Sequence, residues 1–460
     1  MAASLVSKLS RSPTRIAIVA LFLFILYQLF NFSSEPAGAP TLAGDRITET
    51  PTPSIGKKKP DPSPEHCAGL EGLDDVFVTL RTGTTEAPKK LPVHFTTTLR
   101  CLPHYEIYSD FEEEIEGYHV YDSLDEVNPE VKASHPDFEY YNKLQGLGRE
   151  AFTSEEIAQW ASAKNTQGGR DSPGWRLDKW KFLPLAEKAL RARPNAKWFI
   201  FVESDTYVLW KAMLEWLSKF DASKPWYMGQ QMQIGDVIFA YGGAGFVISQ
   251  PALQKVVEHR RQNLKYYDDF TANHWAGDCI LGKALLDVGV PLHWSFPTVS
   301  SEEPADTDFD TGFGGPAKKP WCYYAASYHH LPPAEYSSFY AFEQEWYRHN
   351  TTLMRHKDVF WNYIYPRLST EQSDWDNHSE DEQTSASSHK ACRSACEADS
   401  SCMQFSVSGY TCRTSSSLRL GRKTSAAAEV TSGWMMNRLD AYVARLDAQC
   451  DETRDWILPN

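Results

Sequence analysis

The stretch from Trp198 to Val208 constrains this chain more than any other. It opens with five aromatic or β-branched residues, then presents Glu203 and Asp205 before apolar residues return. Such a run is typical of a strand buried on both faces in a parallel α/β sheet. Carboxylates at the end of a buried strand are costly unless they are paired, and ligands bind at the carboxyl ends of such strands. The stretch therefore predicts either a ligand site or a surface loop with solvated carboxylates.

The spacing of the two acidic residues favours a cation as that ligand. Glu203 and Asp205 lie two positions apart, which in an extended chain places both side chains on one side and Ser204 on the other. Carboxylate oxygens suit hard cations such as Mg²⁺ or Mn²⁺. A motif this short also arises by chance, so further groups are needed to support a metal site.

The N-terminal residues predict a membrane anchor. Residues 16–30 are almost wholly apolar, and Lys8, Arg11 and Arg15 precede them without an acidic residue. This charge distribution predicts a cytoplasmic tail and a lumenal remainder, hence a single-pass type II protein of the Golgi or ER membrane. A cleaved signal peptide is the alternative, but no small-x-small cleavage site directly follows the apolar run.

Composition shifts divide the rest of the chain. A Pro- and Ser-rich stem cannot bury enough apolar surface to fold, and a second polar, Ser-rich stretch follows the large central domain. The expected organisation is a tail at 1–15, a signal-anchor at 16–32, a disordered stem at 33–66, an α/β domain at 67–368, a linker at 369–389 and a Cys-rich module with a C-terminal tail at 390–460.

The cysteines indicate an oxidising compartment. Four of the nine lie between residues 392 and 412, which predicts a small disulfide-stapled module. Zinc is the rival interpretation, although no Cys-x₂-Cys pair is present. The preferred pairing joins Cys392 with Cys412 and Cys396 with Cys402, one of the three that four cysteines permit. The odd total leaves at least one thiol free or intermolecular.

Charge and sequons bear on partners and location. A net charge of −14 argues against a nucleic-acid partner, for which a basic patch is expected. The triplets beginning at Asn350 and Asn377 are glycan acceptor sequons, which agree with a lumenal location but also occur by chance.

Three later segments carry further candidate groups. The glycines Gly242 to Gly245 precede a strand instead of opening a helix, so they predict a tight turn or a close backbone approach and not a dinucleotide fingerprint. Asp278 stands at an apparent helix start, where its ordinary role is a cap. His329 follows an aromatic run and could serve a transition metal, although a lone histidine more often lies satisfied in a core.

Together these segments resemble the Fringe-like inverting β-1,3-glycosyltransferases of glycosyltransferase family 31, nearest the core 1 β-1,3-galactosyltransferases and their fungal homologues. The matching segments occur in the family's order and at similar spacing: Trp180-Lys181, Glu203 to Val208, Gly242 to Ser249, Gly277 to Gly282, and Ser327 to His329. The resemblance covers roughly residues 75–346. It implies a GT-A-like (Rossmann-like) α/β fold with a mixed, mostly parallel sheet flanked by helices. The segment from Cys392 to Cys412 separately resembles a truncated apple/PAN-type module.

The resemblance implies roles for single residues. Asp205 and His329 would hold Mn²⁺ (or Mg²⁺), with Glu203 as a third ligand where the family more often has Asp. Asp278 would be the general base, with Gly277 where an acidic residue usually precedes it. The donor nucleotide-sugar would contact Lys181, Glu203, Ser204, Asp205, Gly242 and Gly243.

These roles imply a metal-dependent enzyme that transfers a hexose in β-1,3 linkage to a glycan or glycoprotein acceptor. UDP-galactose is the preferred donor, with glucose or N-acetylglucosamine as alternatives for the sugar. A non-catalytic lumenal binding or chaperone protein on a degenerate transferase fold is the rival, because Glu203 and Gly277 depart from the family pattern. The oligomeric state is open, with a homodimer as one option.

Overall fold

The computed structural model describes residues 67, 69–162, 172–313, 318–451 and 455–459. The expected cytoplasmic tail, signal-anchor and stem lie outside these residues. No helix within the described part of the chain is both long and apolar enough to span a bilayer. The described residues all belong to one compact unit, Lys57–Asn460.

Strands and helices are interspersed between Val76 and Trp294, in short runs of each. The strands are β1 Val76–Arg81, β2 Tyr105–Ser109, β3 Glu113–Ile115, β4 Tyr118–Asp122, β5 Trp198–Glu203, β6 Tyr207–Val208, β7 Tyr227–Gly229, β8 Gln231–Ile234, β9 Val237–Ala240, β10 Phe246–Ser249, β11 Leu292–Trp294, β12 Ser327–Tyr328, β13 Glu371–Ser373, β14 Trp375–Asp376, β15 Asp381–Glu382, β16 Gln404–Ser408, β17 Thr411–Ser415, β18 Arg422–Lys423 and β19 Val430–Trp434. The α-helices are Ala87–Lys90, Pro92–Thr96, Pro129–Ser134, Phe138–Leu147, Ser154–Ser162, Pro173–Asp178, Phe182–Ala192, Trp210–Leu217, Gln250–Gln262, Leu264–Asn273, Gly277–Asp287, Pro333–His349, His356–Val359, His389–Ala398 and Leu439–Asp447.

An eight-stranded sheet forms the centre of the molecule, in the order β11-β7-β10-β5-β1-β2-β4-β3. Strand β1 pairs in parallel with β2 and β5, whereas β10 runs antiparallel to both β5 and β7. Only β10 and β3 oppose the common direction. The predicted mixed, mostly parallel sheet in an α/β fold is therefore confirmed.

The acidic strand β5 is central because its residues are apolar on both faces. Ile200 and Val202 point into a core with the Trp210–Leu217 helix, whereas Phe199 and Phe201 point into a core with the Phe182–Ala192 helix. Successive residues of a strand face opposite sides, so one continuous apolar run serves both layers. The strand is thereby held in place up to its last residue, where the carboxylates begin.

Residues 369–389 differ from the expected linker. They contain β13 and β15, which are the two edges of a five-stranded antiparallel sheet ordered β13-β19-β16-β17-β15. Their side chains are mostly exposed, while their backbones pair with β19 and β17. The polar composition therefore reflects edge strands facing water, which sequence composition does not distinguish from a linker.

The C-terminal region shares a core with the α/β domain. Trp321 and Phe360 belong to the same buried cluster as Leu439 and Leu446 of the C-terminal residues. A disulfide between Cys322 and Cys450 joins the same two regions. The change in composition near residue 369 is thus not a boundary between separate cores.

The cysteine pairing follows the preferred arrangement. The four disulfides are Cys67–Cys101, Cys322–Cys450, Cys392–Cys412 and Cys396–Cys402. The ninth cysteine, Cys279, is buried and free. Both predicted bridges of the C-terminal module and the predicted unpaired thiol are confirmed.

Candidate active site

The chain turns sharply where β5 ends. The Thr206 N–H donates to the Glu203 carbonyl at 3.0 Å, and the Thr206 hydroxyl donates to the Gly243 carbonyl at 2.7 Å. This turn keeps both carboxylates on one side: His329 Nε2 lies 3.1 Å from Asp205 Oδ1 and 3.7 Å from Glu203 Oε2. The predicted common side for Glu203 and Asp205 is formed by a turn and not by extended chain.

A short antiparallel pairing brings the histidine to this turn. Strand β12, which ends at Tyr328, pairs with β6, which begins two residues after Asp205. The Leu331 N–H donates to the Asp205 carbonyl at 3.0 Å, which closes the loop around His329 and His330. One ligand atom each from Asp205, His329 and His330 lies within 4.8 Å of the others. His330 is missing from the predicted site, and its only sequence signal is that it follows His329.

The polar atoms of this cluster fit a bound cation. His329 Nδ1 is buried and makes no hydrogen bond, and the buried atoms His329 Nε2 and Asp205 Oδ1 face each other at 3.1 Å. Asp205 Oδ2, in contrast, lies 3.1 Å from the Lys90 ammonium. Buried polar atoms without partners are rare, and a divalent ion would satisfy Asp205 Oδ1 and one ring nitrogen of His329, since an imidazole offers an ion a single nitrogen. Imidazole nitrogens in the donor set favour a transition-metal ion such as Mn²⁺ over Mg²⁺.

The same charges act on the histidine in the absence of an ion. Burial lowers the pKa of His329, but the Asp205 and Glu203 carboxylates outweigh burial and raise that pKa to about 9. A metal ion binds neutral imidazole, so its binding would displace this proton.

The Glu203 carboxylate is paired with a positively charged side chain of the protein itself, that of Arg81. Its Oε1 forms an ion pair with the Arg81 guanidinium, whose other nitrogen lies 3.6 Å from Asp178. Burial opposes ionisation of Glu203, but Arg81 and then His329 outweigh it and lower the pKa of the Glu203 carboxyl to about 2. Glu203 therefore lies beside the cluster of Asp205 and the two histidines, and Arg81 holds one of its oxygens.

Asp278 lies in the first turn of the Gly277–Asp287 helix but does not cap it. Its Oδ2 accepts from the Gly242 N–H at 3.0 Å, and its Oδ1 accepts from the Cys279 N–H at 2.9 Å. Burial raises the pKa of Asp278 to about 6, although both N–H groups oppose the rise. Asp278 is thus bound to the first glycine of the Gly242–Gly245 segment.

Packing explains the glycine that precedes Asp278. A Cβ on Gly277 would approach Phe182 Cδ2 to 2.3 Å and Lys179 Cα to 2.7 Å. The Phe182 ring also carries the Arg81 guanidinium, whose carbon lies 3.9 Å from the ring centroid. An acidic side chain at position 277 would therefore collide with the residues that support Arg81.

The two remaining predicted donor contacts lie beneath the site. The Lys181 ammonium is buried in an ion pair with Asp110 and donates to the Thr82 carbonyl at 3.0 Å. The Ser204 hydroxyl donates to Thr82 Oγ1 at 3.1 Å. Both side chains bind Thr82, which directly follows β1, and their role in donor binding remains a prediction.

Comparison with known proteins decides the family. A model of the Fringe-like family matches residues 71–303, which is half of the chain and includes Asp205, Gly243 and Asp278. The chain belongs to the Fringe-like family. This Fringe-like protein is accordingly a glycosyltransferase. His329 and His330 lie beyond the matched residues.

Two solved structures are similar to this Fringe-like protein at low identity. The galactosyltransferase LgtC in complex with donor and acceptor sugar analogues shares 13% identity, with coverage of 60% of this chain and 97% of that chain and a TM-score of 0.30. A glycosyltransferase involved in the glycosylation of the major capsid of PBCV-1 shares 14% identity, with coverage of 58% and 98% respectively and a TM-score of 0.24.

Proposed function

We propose that this Fringe-like protein is a metal-dependent inverting transferase that moves a hexose from a UDP-sugar onto a glycan or glycoprotein in β-1,3 linkage. Galactose is the preferred sugar. The observation that carries the proposal is the cluster of Asp205, His329 and His330 at the end of β5, joined through Gly242 and Gly243 to the half-buried carboxyl of Asp278.

The first part of the proposal concerns the leaving group. Bound Mn²⁺ (or Mg²⁺) supplies positive charge beside a departing diphosphate. Asp205, His329 and His330 would hold the ion, and Lys90 keeps the second oxygen of Asp205 in place. Arg81 forms an ion pair with Glu203, so this second carboxylate would lie near the ion without being one of its ligands.

The second part concerns the acceptor. In a single displacement the acceptor hydroxyl attacks the anomeric carbon, and Asp278 takes the hydroxyl proton. General-base catalysis contributes roughly 10²–10⁴ in rate and works best when the pKa of the base is near the operating pH. The Asp278 pKa of about 6 meets that condition. Two backbone N–H groups hold its carboxylate in one orientation.

The proposal includes a Golgi or ER setting with the transferase domain in the lumen. Four disulfides agree with an oxidising compartment. A binding protein on a degenerate transferase fold is less well supported, because the two departures from the family pattern have structural partners. Glu203 is paired with Arg81, and Gly277 makes room for Phe182.

Release of UDP from a panel of UDP-sugars by the full-length chain, with and without Mn²⁺, tests the proposal. We expect Mn²⁺-dependent release that is greatest with UDP-galactose, and its loss in Asp205→Ala. Asp381→Ala, at an exposed edge strand, serves as the matched control. Absence of turnover with every donor, or undiminished turnover in Asp205→Ala, contradicts the proposed mechanism.

A further inference from the structure

Five aromatic rings form a continuous row on the surface beside Asp278. Neighbouring ring centroids are 6.2 Å apart for Tyr266 and Phe270, 5.5 Å for Phe270 and His274, 6.3 Å for His274 and Trp275, and 6.2 Å for Trp275 and Trp175. Each neighbouring pair lies within 25° of parallel. We call these five side chains the aromatic row.

The row does not belong to the interior. Tyr266 is 48% exposed and Trp275 is 47% exposed, and the other three side chains are partly exposed. The next residue along the helix, Tyr267, is buried in the core against the central sheet. Tyr267 and the partly buried Phe270 pack the helix against the core, and burial does not account for the exposed rings of Tyr266 and Trp275.

The geometry of the row is constrained at its end near the site. His274 Nδ1 accepts a hydrogen bond from the Ala276 N–H at 3.0 Å, which fixes the imidazole. The Lys179 ammonium donates to the Ala272 carbonyl at 3.4 Å and so ties the turn after the Pro173–Asp178 helix, which carries Trp175, to the end of the Leu264–Asn273 helix. A surface with few free rotamers loses little entropy when a ligand binds.

Trp275, the fourth ring of the row, is close to the candidate base along the chain. Trp275 precedes Asp278 by three residues, so their Cα atoms are at most about 11 Å apart. Because Gly277 has no side chain, Lys179 packs directly against it, and Lys179 directly follows the helix that carries Trp175. An acceptor sugar whose hydroxyl meets Asp278 would have its next residues beside Trp275.

We propose that the aromatic row is a subsite for the sugar residues of an extended acceptor glycan that follow the residue receiving the hexose. This inference rests on the proposed function, which places the acceptor hydroxyl at Asp278. The faces of aromatic rings are electronegative, and the C–H faces of a pyranose are apolar and slightly positive, so the two stack. Rings in near-parallel orientation offer successive sugars equivalent surfaces.

Acceptor kinetics of the full-length chain test the subsite. The probes are methyl glycosides, disaccharides and tetrasaccharides of galactose, mannose, N-acetylglucosamine and N-acetylgalactosamine, with UDP-galactose as donor. For Trp275→Ala we expect the tetrasaccharide KM to rise about tenfold, equivalent to about 1.4 kcal/mol, with kcat within about twofold. Trp275→Phe should restore most of the affinity, because it retains an aromatic face.

The position along the row predicts a dependence on acceptor length. Tyr266→Ala should raise KM for the tetrasaccharide and leave the disaccharide unchanged, because Tyr266 is the ring farthest along the row from Asp278. Trp294→Ala is the matched control, since Trp294 is 54% exposed and lies on strand β11. A general loss of stability would lower the concentration of folded enzyme, and so the apparent kcat for every acceptor length, and would leave KM unchanged.

Two results would overturn the subsite. Unchanged KM values in Trp275→Ala, with donor turnover intact, exclude it and leave the proposed function standing. A change in self-association of Trp275→Ala, with unchanged KM values, assigns the row to a protein contact instead. If no donor is turned over, the proposed function fails, and calorimetric binding of the tetrasaccharides to the wild type and to Trp275→Ala decides the subsite by itself.

Discussion

Gly243 lies directly against the ring of His329. A Cβ at position 243 would come within 2.2 Å of His329 Cε1 and 2.6 Å of Nε2, distances that real Cβ contacts do not show. The absence of a side chain therefore allows the imidazole to stand 3.1 Å from Asp205. Gly243 therefore belongs to the proposed metal site, although it offers no side-chain ligand atom.

Replacement of that glycine tests the relationship. Gly243→Ala should displace the imidazole and lower Mn²⁺ affinity about 10- to 100-fold, the effect typical of residues that orient a metal ligand. Calorimetric titration with Mn²⁺ alone measures it. Gly146→Ala is the control, because a Cβ there meets nothing within 4 Å. Equal Mn²⁺ affinity in the two variants would show that His329 does not ligate the ion.

Replacing His330 should affect mainly metal affinity, whereas replacing Glu203 should affect mainly stability. His330→Ala removes a ligand atom of the cluster and should weaken Mn²⁺ binding with little change in Tm. Glu203→Gln should instead lower Tm, since it leaves the buried Arg81 guanidinium without its carboxylate, at a cost of about 1–3 kcal/mol. Titration and thermal unfolding of both variants check this. The opposite pattern would make Glu203 the third ligand.

Asp278→Asn should reduce transfer by roughly 10²–10⁴ and leave UDP binding nearly intact, because the amide cannot accept the acceptor proton. Loss of both properties would instead indicate a structural role at the helix start. Calorimetry with UDP and a transfer assay distinguish the two outcomes.

The pH dependence of transfer follows from the same carboxyl. A general base acts in its deprotonated form, and burial raises the pKa of Asp278 to about 6, so kcat/KM should fall as the pH decreases through 6. An unperturbed carboxyl would lose activity only near pH 4. A profile from pH 4.5 to about 8 decides between them, and one that stays flat down to pH 5 excludes a base with a raised pKa.

Leu446 tests the shared core. It is fully buried in the cluster that contains Trp321 and Phe360, although it follows the polar stretch at residues 369–389. Leu446→Ala should destabilise the protein by about 2–5 kcal/mol, measured by urea unfolding with disulfides intact. Leu147→Ala, at a side chain 65% exposed, should change stability by less than about 0.5 kcal/mol. If Leu446→Ala affected only a separate unfolding transition of the C-terminal region, the C-terminal region and the α/β domain would have separate cores.

The two sequons should behave differently. Asn377 has no exposed surface, and its amide donates to the Phe405 carbonyl at 3.1 Å, so the folded protein has no room for a glycan there. Asn350 is partly exposed. When the protein is expressed through a secretory pathway and enzymatically deglycosylated, mass spectrometry should therefore show modification at Asn350 and not at Asn377. A modified Asn377 in folded protein would contradict the burial.

Sequence reasoning predicted the elements whose signals are local. The strand Trp198–Glu203 and the Cys392–Cys412 and Cys396–Cys402 bridges were predicted correctly. The prediction of a linker at 369–389 is wrong, because an exposed edge strand has the same polar composition as a flexible segment. His330 was missed because its ligand position depends on the loop closed by Leu331 and Asp205.

By itself the sequence determined which residues carry charge at the end of a buried strand, because side-chain alternation and apolar runs depend only on neighbouring positions. Tertiary structure alone decided their partners. Arg81 forms an ion pair with Glu203, which lies 122 positions away in the sequence, and the missing side chain of Gly243 leaves space for the His329 ring. These pairings depend on the register of β1, β5 and β12 in their sheets, and register is a property of the packed chain.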